Sequence, residues 1–307
     1  MGKDILNDAV LLLDKHEGIT SYDAVEEVKR ISGIRKIGHS GTIDKFASGL
    51  LVLCTGRATK LTRYFLDGNK RYRGVIRLGI RTDTCDSEGT VISRIPCPPL
   101  DSSRLAGLVG RFMGAQFQVP PVYSALKIDG RRASDRARAG EQVELQPRRV
   151  VIKELAVVEH DPEAGTLTVD VLCSKGTYIR ALARDIGDEL GCGAHLTGLR
   201  RTASGHFRVE DAIGIDELRE FVRTGRSKGA FVRGPLESLG FMKRIVVKEE
   251  AVPKILNGVR FVKEDILAVE TEGEEPFIIL DGSQNLIAIA GVDIDNWSVS
   301  YLNVFSS

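Results

Sequence analysis

The sequence predicts a protein of both helices and strands over residues 1–241 and a small C-terminal β-barrel over 242–307. Three observations carry that prediction. The 307 residues suffice for one large domain and a small one, and a hydrophobic content of 42% beside 28% charged residues describes a packed chain, not a disordered one. Runs that alternate at period two are interleaved with segments whose apolar residues recur three and four apart. From Ile245 the texture changes to short apolar runs, Ile266 to Val269, Phe277 to Leu280 and Leu286 to Ala290, a spacing that suits a barrel of about sixty-five residues.

Taken in order, Val10 to Asp14 reads as the first strand. Thr20 or Ser21 can cap a helix running to about Ser32, because Ala24, Val25, Val28 and Ile31 keep helical spacing and Gly33 is a natural stop. A second helix is expected over Thr59 to Phe65. Lys70 to Gly79 alternates. Tyr72, Gly74, Ile76 and Leu78 face one way, and Arg71, Arg73 and Arg77 mostly face the other, as in a half-buried strand with a basic outer face. Thr82 to Gly89 is a polar turn whose three carboxylates lack the length and strictness of a calcium loop, so no metal is assigned.

Asp101 to Met113 reads as a helix with Asp101 or Ser102 near its cap. An insertion at about 124–150 follows, and from Lys127 to Arg149 it carries seven basic residues against four acidic ones. Basic residues near Tyr123 suit an RNA backbone and its bases; a solvated helical face is the competing reading. Val150 to His160 and Thr166 to Cys173 form a hairpin around Asp161-Pro162-Glu163-Ala164-Gly165. Ser174 to Arg180 leads into a helix with the stripe Ile179, Leu182, Ala183, Ile186 and Leu190, ended by Gly191. Arg180 falls in its first turn, where the helix dipole disfavours a cation, and an acidic neighbour would explain its presence. Gly193 to Leu199 is a strand, Asp216 to Val222 a helix, Gly234 to Gly240 a linker and Glu249 to Asn257 a short helix.

One stretch stands apart: Gly38-His39-Ser40-Gly41-Thr42-Ile43-Asp44-Lys45-Phe46-Ala47-Ser48-Gly49-Leu50. It holds a single carboxylate, Asp44, between glycines that neither a strand nor a helix carries comfortably. A tight loop entering an apolar segment fits it, and such loops let backbone approach a ligand. An ordinary turn whose aspartate bonds its own backbone fits it too.

Composition narrows the function classes. The net charge of +1 hides an asymmetry: residues 1–241 carry 37 basic against 31 acidic residues, and residues 242–307 carry 6 against 11. The long part therefore favours a polyanion modestly. Five scattered cysteines, at 54, 85, 97, 173 and 192, contain no Cys-x-x-Cys pair, so neither a zinc site nor a disulfide framework is indicated and a reducing cytosol fits. No apolar run approaches bilayer length, and Ala9 to Leu13, preceded by acidic residues, reads as a core strand and not as a signal peptide.

Four motifs then combine. Gly38-His39-Ser40-Gly41-Thr42-Ile43-Asp44 resembles G-H-x-G-T-L-D, and Lys70-Arg71-Tyr72 resembles K-x-Y. Gln118 to Lys127 resembles Q-x-P-P-x-Y-S-A-x-K, and Ser174 to Arg180 resembles S-x-G-T-Y-I-R. In this order and at these separations the chain resembles the TruB family of tRNA pseudouridine synthases over nearly its whole length. Two departures bear on loop rigidity. Lys45 stands where the family has proline after the aspartate, and Lys15-His16-Glu17-Gly18-Ile19-Thr20-Ser21 lacks the proline of K-P-x-G-x-T-S.

The resemblance implies an α+β pseudouridine synthase fold, a mixed, largely antiparallel sheet with flanking helices, with a C-terminal PUA barrel, and isomerisation of the uridine at position 55 in the TΨC loop of tRNA. It also implies a cytoplasmic monomer that needs no cofactor, metal, membrane or protein partner. Asp44 would act ionised, as nucleophile at C6 of uracil or C1′ of ribose, or as the base that removes a proton. Arg180 would pair with it and lower its pKa. Tyr72 would stack on the target base and could serve in proton transfer, Tyr178 and Leu199 would complete the pocket wall, and His39 would fill the space left when the base flips out, a structural histidine bonding the loop backbone being the alternative. Two alternatives are a synthase of the same family dependent on guide RNA and a non-catalytic RNA-binding or RNA-folding protein. The basic insertion argues against the first, and the carboxylate, which pure binding does not need, argues against the second.

Overall fold

The computed structural model describes residues 4–124, 126–128, 130–225 and 230–305, so Ala125 and Asp129 of the expected insertion lie outside the described residues. Strand β1 (Val10–Lys15) is apolar on both faces, as a central strand requires. Helix α1 (Ser21–Ser32) starts at Thr20, whose hydroxyl accepts from the Asp23 N–H while the Asp23 carboxylate accepts from the Thr20 N–H. It stops at Gly33, in the left-handed region at φ 77°. Strands β2 (Ile37–His39) and β3 (Ser48–Thr55) flank the glycine-rich loop. The helix expected after β3 is a 3-10 turn followed by the short α2 (Thr62–Leu66).

Strand β4 (Lys70–Leu78) has the expected two faces, with Lys70, Gly74, Ile76 and Leu78 buried. A small hairpin follows, β5 (Ile80–Thr82) and β6 (Val91–Arg94), then α3 (Ser102–Phe112), capped by Asp101, and β7 (Gly114–Gln118). The insertion contains β8 (Lys127–Ile128), β9 (Arg131–Arg132) and α4 (Ala133–Arg138). The long hairpin β10 (Arg148–Asp161) and β11 (Thr166–Cys173) leads to α5 (Ile179–Glu189) and β12 (Ala194–Ser204). After β13 (Phe207–Arg208), β14 (Ile213–Gly214), α6 (Ile215–Thr224) and β15 (Val232–Arg233), the expected linker contains a short helix, α7 (Pro235–Ser238). Its proline occupies the first turn, where a missing N–H costs nothing.

Among the described residues the large sheet has eleven strands, along the path β14-β1-β3-β12-β4-β11-β10-β7, with β2 on β3, β13 on β12 and β15 on β1. Among the described residues of this sheet only β1–β14 and β3–β12 pair in parallel, so it is mixed and largely antiparallel. Helices α3 and α5 cover one end of it through Leu108, Phe112, Ile179, Leu182 and Ile186. Helices α1 and α6 cover the other through Val25, Val28, Leu218 and Phe221.

The C-terminal part comprises β16 (Met242–Val247), α8 (Val252–Leu256), β17 (Ile266–Glu270), β18 (Glu274–Leu280), β19 (Leu286–Asp293) and β20 (Ser298–Val304). It is an open five-stranded sheet ordered β17-β16-β18-β19-β20, which corrects the expected closed barrel. The reason is burial on both faces. Ile278, Leu280 and Ile289 pack with Val10, Leu12, Leu50 and Val52 of the large sheet, while Ile245, Val247, Phe277 and Ile279 close over Ile255 and Phe261. A sheet covered on both sides does not need to curl on itself to hide an apolar face. Among the described residues no helix is long and apolar enough to cross a membrane.

Candidate active site

The loop between β2 and β3 carries Asp44, and buried cations hold it. Lys15 is fully buried, and its Nζ donates to the carbonyls of His16, Ile19 and Ala47 at 2.8, 2.9 and 2.5 Å. Burial brings its pKa down to about 8. Ser21 accepts from the Ile43 N–H at 3.0 Å and donates to the Ile43 carbonyl at 3.2 Å, and the Gly18 N–H donates to the Lys45 carbonyl at 2.9 Å. From the opposite side Arg201, 2% exposed, donates to the carbonyls of Leu50, Gly41 and Thr42 at 2.7, 3.1 and 3.5 Å. The rigidity that two absent prolines withdraw is thus supplied by side chains donating to loop carbonyls.

Gly49 shows how tight this seat is. Its φ is 104°, and a Cβ there would stand 2.3 Å from the Arg201 carbonyl oxygen. Gly49→Ala is therefore expected to lower stability by about 2 kcal/mol or more and to lose most turnover, because the loop must move to admit the methyl group. A thermal melt and a turnover assay check it; an alanine variant matching the parent in both would refute this account of the seat.

Arg180 lies between two carboxylates. Its Nη2 donates to Asp44 Oδ1 at 3.2 Å, and its Nε stands 3.0 Å from Asp44 Oδ2 as an ion pair without hydrogen-bond alignment. Its Nη1 donates to Asp86 Oδ2 at 3.0 Å and to the Thr84 carbonyl at 3.2 Å, and its Nη2 reaches the Tyr123 carbonyl at 2.9 Å. Asp86 is fixed in turn: its Oδ1 accepts from the Thr84 hydroxyl at 2.5 Å and the Glu88 N–H at 3.0 Å. Arg180 and Asp86 side chains are each 5% exposed, whereas Asp44 keeps 38% of its side-chain surface open. The acid expected beside the first-turn arginine is present twice.

The expected lowering of the Asp44 pKa is corrected. Burial pushes the carboxyl above its ordinary 3.8, Arg180 pulls it back, and Asp86 adds to the upward push. The guanidinium serves two carboxylates, so its charge does not offset the desolvation of one.

Asp44 opens into a cavity of about 580 Å³. Tyr72, Tyr178, Arg180 and Leu199 all line it, joined by Lys70 and Arg201. Burial raises the Tyr72 phenol, while the charge and hydrogen bond of Arg201 oppose that rise. The Tyr178 N–H donates to Gln118 Oε1 at 2.9 Å, which links β7 to the start of α5. His39 is the exception among the expected site residues. It sits on β2, does not line the cavity, and its Nδ1 is buried without a hydrogen-bond partner. Burial first, and then Arg201, lowers its pKa. Lys175 and Asp67 pair at 2.7 Å among the lining residues, both largely exposed. Among the described residues no group of three or more His, Cys, Asp or Glu could hold a metal ion.

Sequence reading missed Asp86, Arg201 and Gln118 as site components. Asp86 sat in a turn rejected as a calcium loop. The available signal that Arg201 points inward was alternation: Leu199 and Ala203, two residues before and after it, share its face of the strand.

The model for the TruB family pseudouridylate synthase N-terminal domain matches residues 29–179, and that for the tRNA pseudouridylate synthase B C-terminal domain matches residues 180–239. A protein of Ralstonia pickettii named tRNA pseudouridine synthase B is 40% identical over 287 residues, 92% of this chain and 89% of its own. One of the same name from Cupriavidus pinatubonensis is 43% identical over 261 residues, 84% and 81% of the two chains. Another from Burkholderia pseudomallei is 48% identical over 213 residues, 69% of each. The fold matches, at a TM-score of 0.76 and 21% identity, a chain of an H/ACA RNP bound to a substrate RNA containing 2′-deoxyuridine, over 99% of this chain and 87% of that one. It matches a chain of a Cbf5-Nop10-Gar1 complex equally well, at 23% identity over 100% and 87%. The protein has the pseudouridine synthase fold, and it belongs to the TruB family, enzymes that isomerise uridine to pseudouridine in tRNA.

Proposed function

We propose that this enzyme acts on the uridine at position 55 in the TΨC loop of tRNA, with Asp44 as the reacting group on a flipped-out base. The observation that carries the reading is the chain Asp44–Arg180–Asp86 at the wall of a cavity of about 580 Å³. That volume lies in the range of small-molecule sites and suits a single nucleotide. Attack at C6, attack at C1′ and proton removal all require the ionised carboxylate. Arg180 orients it and neutralises it only in part, since Asp86 shares the guanidinium. Tyr72 stacks on the uracil, Tyr178 and Leu199 wall the pocket, and His39, outside the cavity, fills the gap in the RNA loop. The base breaks its C–N bond to C1′, turns and rejoins through C5; the C5 proton leaves and a proton is gained at nitrogen, so the step is an isomerisation with no redox balance to meet.

The PUA-like unit at 242–307 adds RNA contact, the enzyme acts as a monomer without guide RNA or protein partner, and a tRNA substrate sets it in the cytoplasm. The basic insertion and the names of the 40–48% identical relatives support this over a guide-dependent enzyme. The test is incubation of the protein alone with unmodified tRNA, followed by mapping of pseudouridine. Modification at position 55 is expected; none there, or modification only with an added RNA or protein, overturns the reading.

The pKa direction supplies a second expectation. Turnover needs ionised Asp44, and a raised pKa means the charge is lost earlier as pH falls. The acid limb of kcat/KM should bend above 3.8. An inflection at or below that value in folded enzyme would contradict the burial of Asp44.

A further inference from the structure

Phe117 is the most exposed of the large hydrophobic side chains among the described residues, at 75%. It lies on β7, the edge strand that ends the large sheet, where register sets it opposite Arg149 and sets Gln118 opposite Arg148. Directly opposed residues of antiparallel strands share a face, with Cβ atoms about 5 Å apart, so the Phe117 ring and the Arg149 side chain leave the sheet together. Arg148 and Arg149 are both exposed and both line the cavity that holds Asp44. Neither makes an ion pair among the described residues; Arg149 leaves the sheet on the face of Phe117, and Arg148, its neighbour along the strand, on the face of Gln118. The strand beneath them is fixed: Gln118, 2% exposed, anchors the Tyr178 backbone.

We propose that Phe117 and Arg149 form a nucleotide subsite beside the cavity, in which an unpaired base of the substrate RNA stacks on Phe117 and the adjoining phosphate meets Arg149. The proposal rests on the reading of RNA as substrate. An apolar ring on an edge strand is a liability in water unless something covers it. An uncompensated arginine in register with that ring favours an anion with a flat apolar part, and a nucleotide has both. Phenylalanine offers no hydrogen bond, so the subsite holds a base by its face and is indifferent to which base it is. It therefore adds affinity and position, and does not select sequence.

The test uses an unmodified T-arm stem-loop RNA and the full-length protein carrying Asp44→Asn, so that no RNA is converted during titration. Phe117→Ala should weaken binding roughly tenfold, and Phe117→Leu should weaken it as much, because leucine is apolar but not flat. Phe117→Tyr should bind like the parent. Phe117→Trp should bind like the parent and show RNA-dependent fluorescence quenching beyond that of Trp297, the natural chain's one tryptophan. In the active enzyme Phe117→Ala should raise KM for tRNA by a similar factor. Unchanged affinity in the alanine variant, leucine binding like phenylalanine, or no added quenching overturns the proposal. So does a concentration-dependent dimer abolished by Phe117→Ala with RNA affinity intact, which would give the ring to a second copy of the chain. A parent that modifies tRNA while the alanine variant binds normally sinks this subsite alone; a parent that binds no RNA sinks the tRNA reading with it.

Discussion

Asp44→Asn is expected to cut pseudouridine formation by about four orders of magnitude while tRNA affinity stays within about threefold. Asparagine keeps the shape of the side chain and removes its charge, so it removes nucleophile and base together. The scaffold stays, because Arg180 retains Asp86 and the carbonyls of Thr84 and Tyr123. Stability should not suffer either. A carboxyl whose folded pKa is raised is disfavoured as an anion in the fold, so at neutral pH ionised Asp44 costs stability that the neutral amide does not. Single-turnover measurement at saturating tRNA, a binding titration and a thermal melt separate these effects. Turnover within tenfold of the parent would remove Asp44 from the chemistry; a large drop in melting temperature would make its loss of activity structural.

What could be read beforehand follows the range of the interactions. Helix α1 was legible because its stripe, its Thr20 cap and Gly33 all lie within a few residues of each other. The faces of β4 were legible for the same reason. That Arg180 has an acidic neighbour was also within reach, because a cation in a first helical turn requires compensation, but that the neighbour is Asp44, 136 residues away, came only with the family resemblance. Asp86 was not. Its own turn explains it locally, and the arginine that uses it lies 94 residues on. The seat of the loop on Arg201 is likewise made of contacts to carbonyls, which have no sequence signature. The C-terminal barrel misread has a related cause: alternation reveals one buried face, and here Ile278 and Ile279 show that both are buried, against two different partners. The direction of the Asp44 pKa failed because pairing can be inferred from residue types, whereas desolvation depends on what closes over the site.

Arg180→Met should also be strongly damaging, by a different route. Methionine fills the space but leaves Asp86, 5% exposed at its side chain, without its cation, and leaves the Thr84 and Tyr123 carbonyls without their donor. Breaking a buried pair in this way costs about 3–5 kcal/mol, so the melting temperature should fall clearly. Turnover should fall by about two to three orders of magnitude in enzyme that remains folded, since Asp44 loses its orientation and its counter-charge together. The discriminating signature is in pH. Without the guanidinium, burial and the Asp86 charge act on Asp44 unopposed by their largest counterweight, so its pKa rises further and the acid limb moves to higher pH. Activity of the variant should therefore recover in part as pH is raised, whereas a merely destabilised protein gains nothing from that change. Arg180→Lys should fall between parent and methionine variant: it keeps a charge for one carboxylate but lacks the fork that reaches Asp44 and Asp86 at once. A methionine variant with the parent's acid limb and near-parent turnover would show that Arg180 holds the fold and leaves Asp44 to act alone.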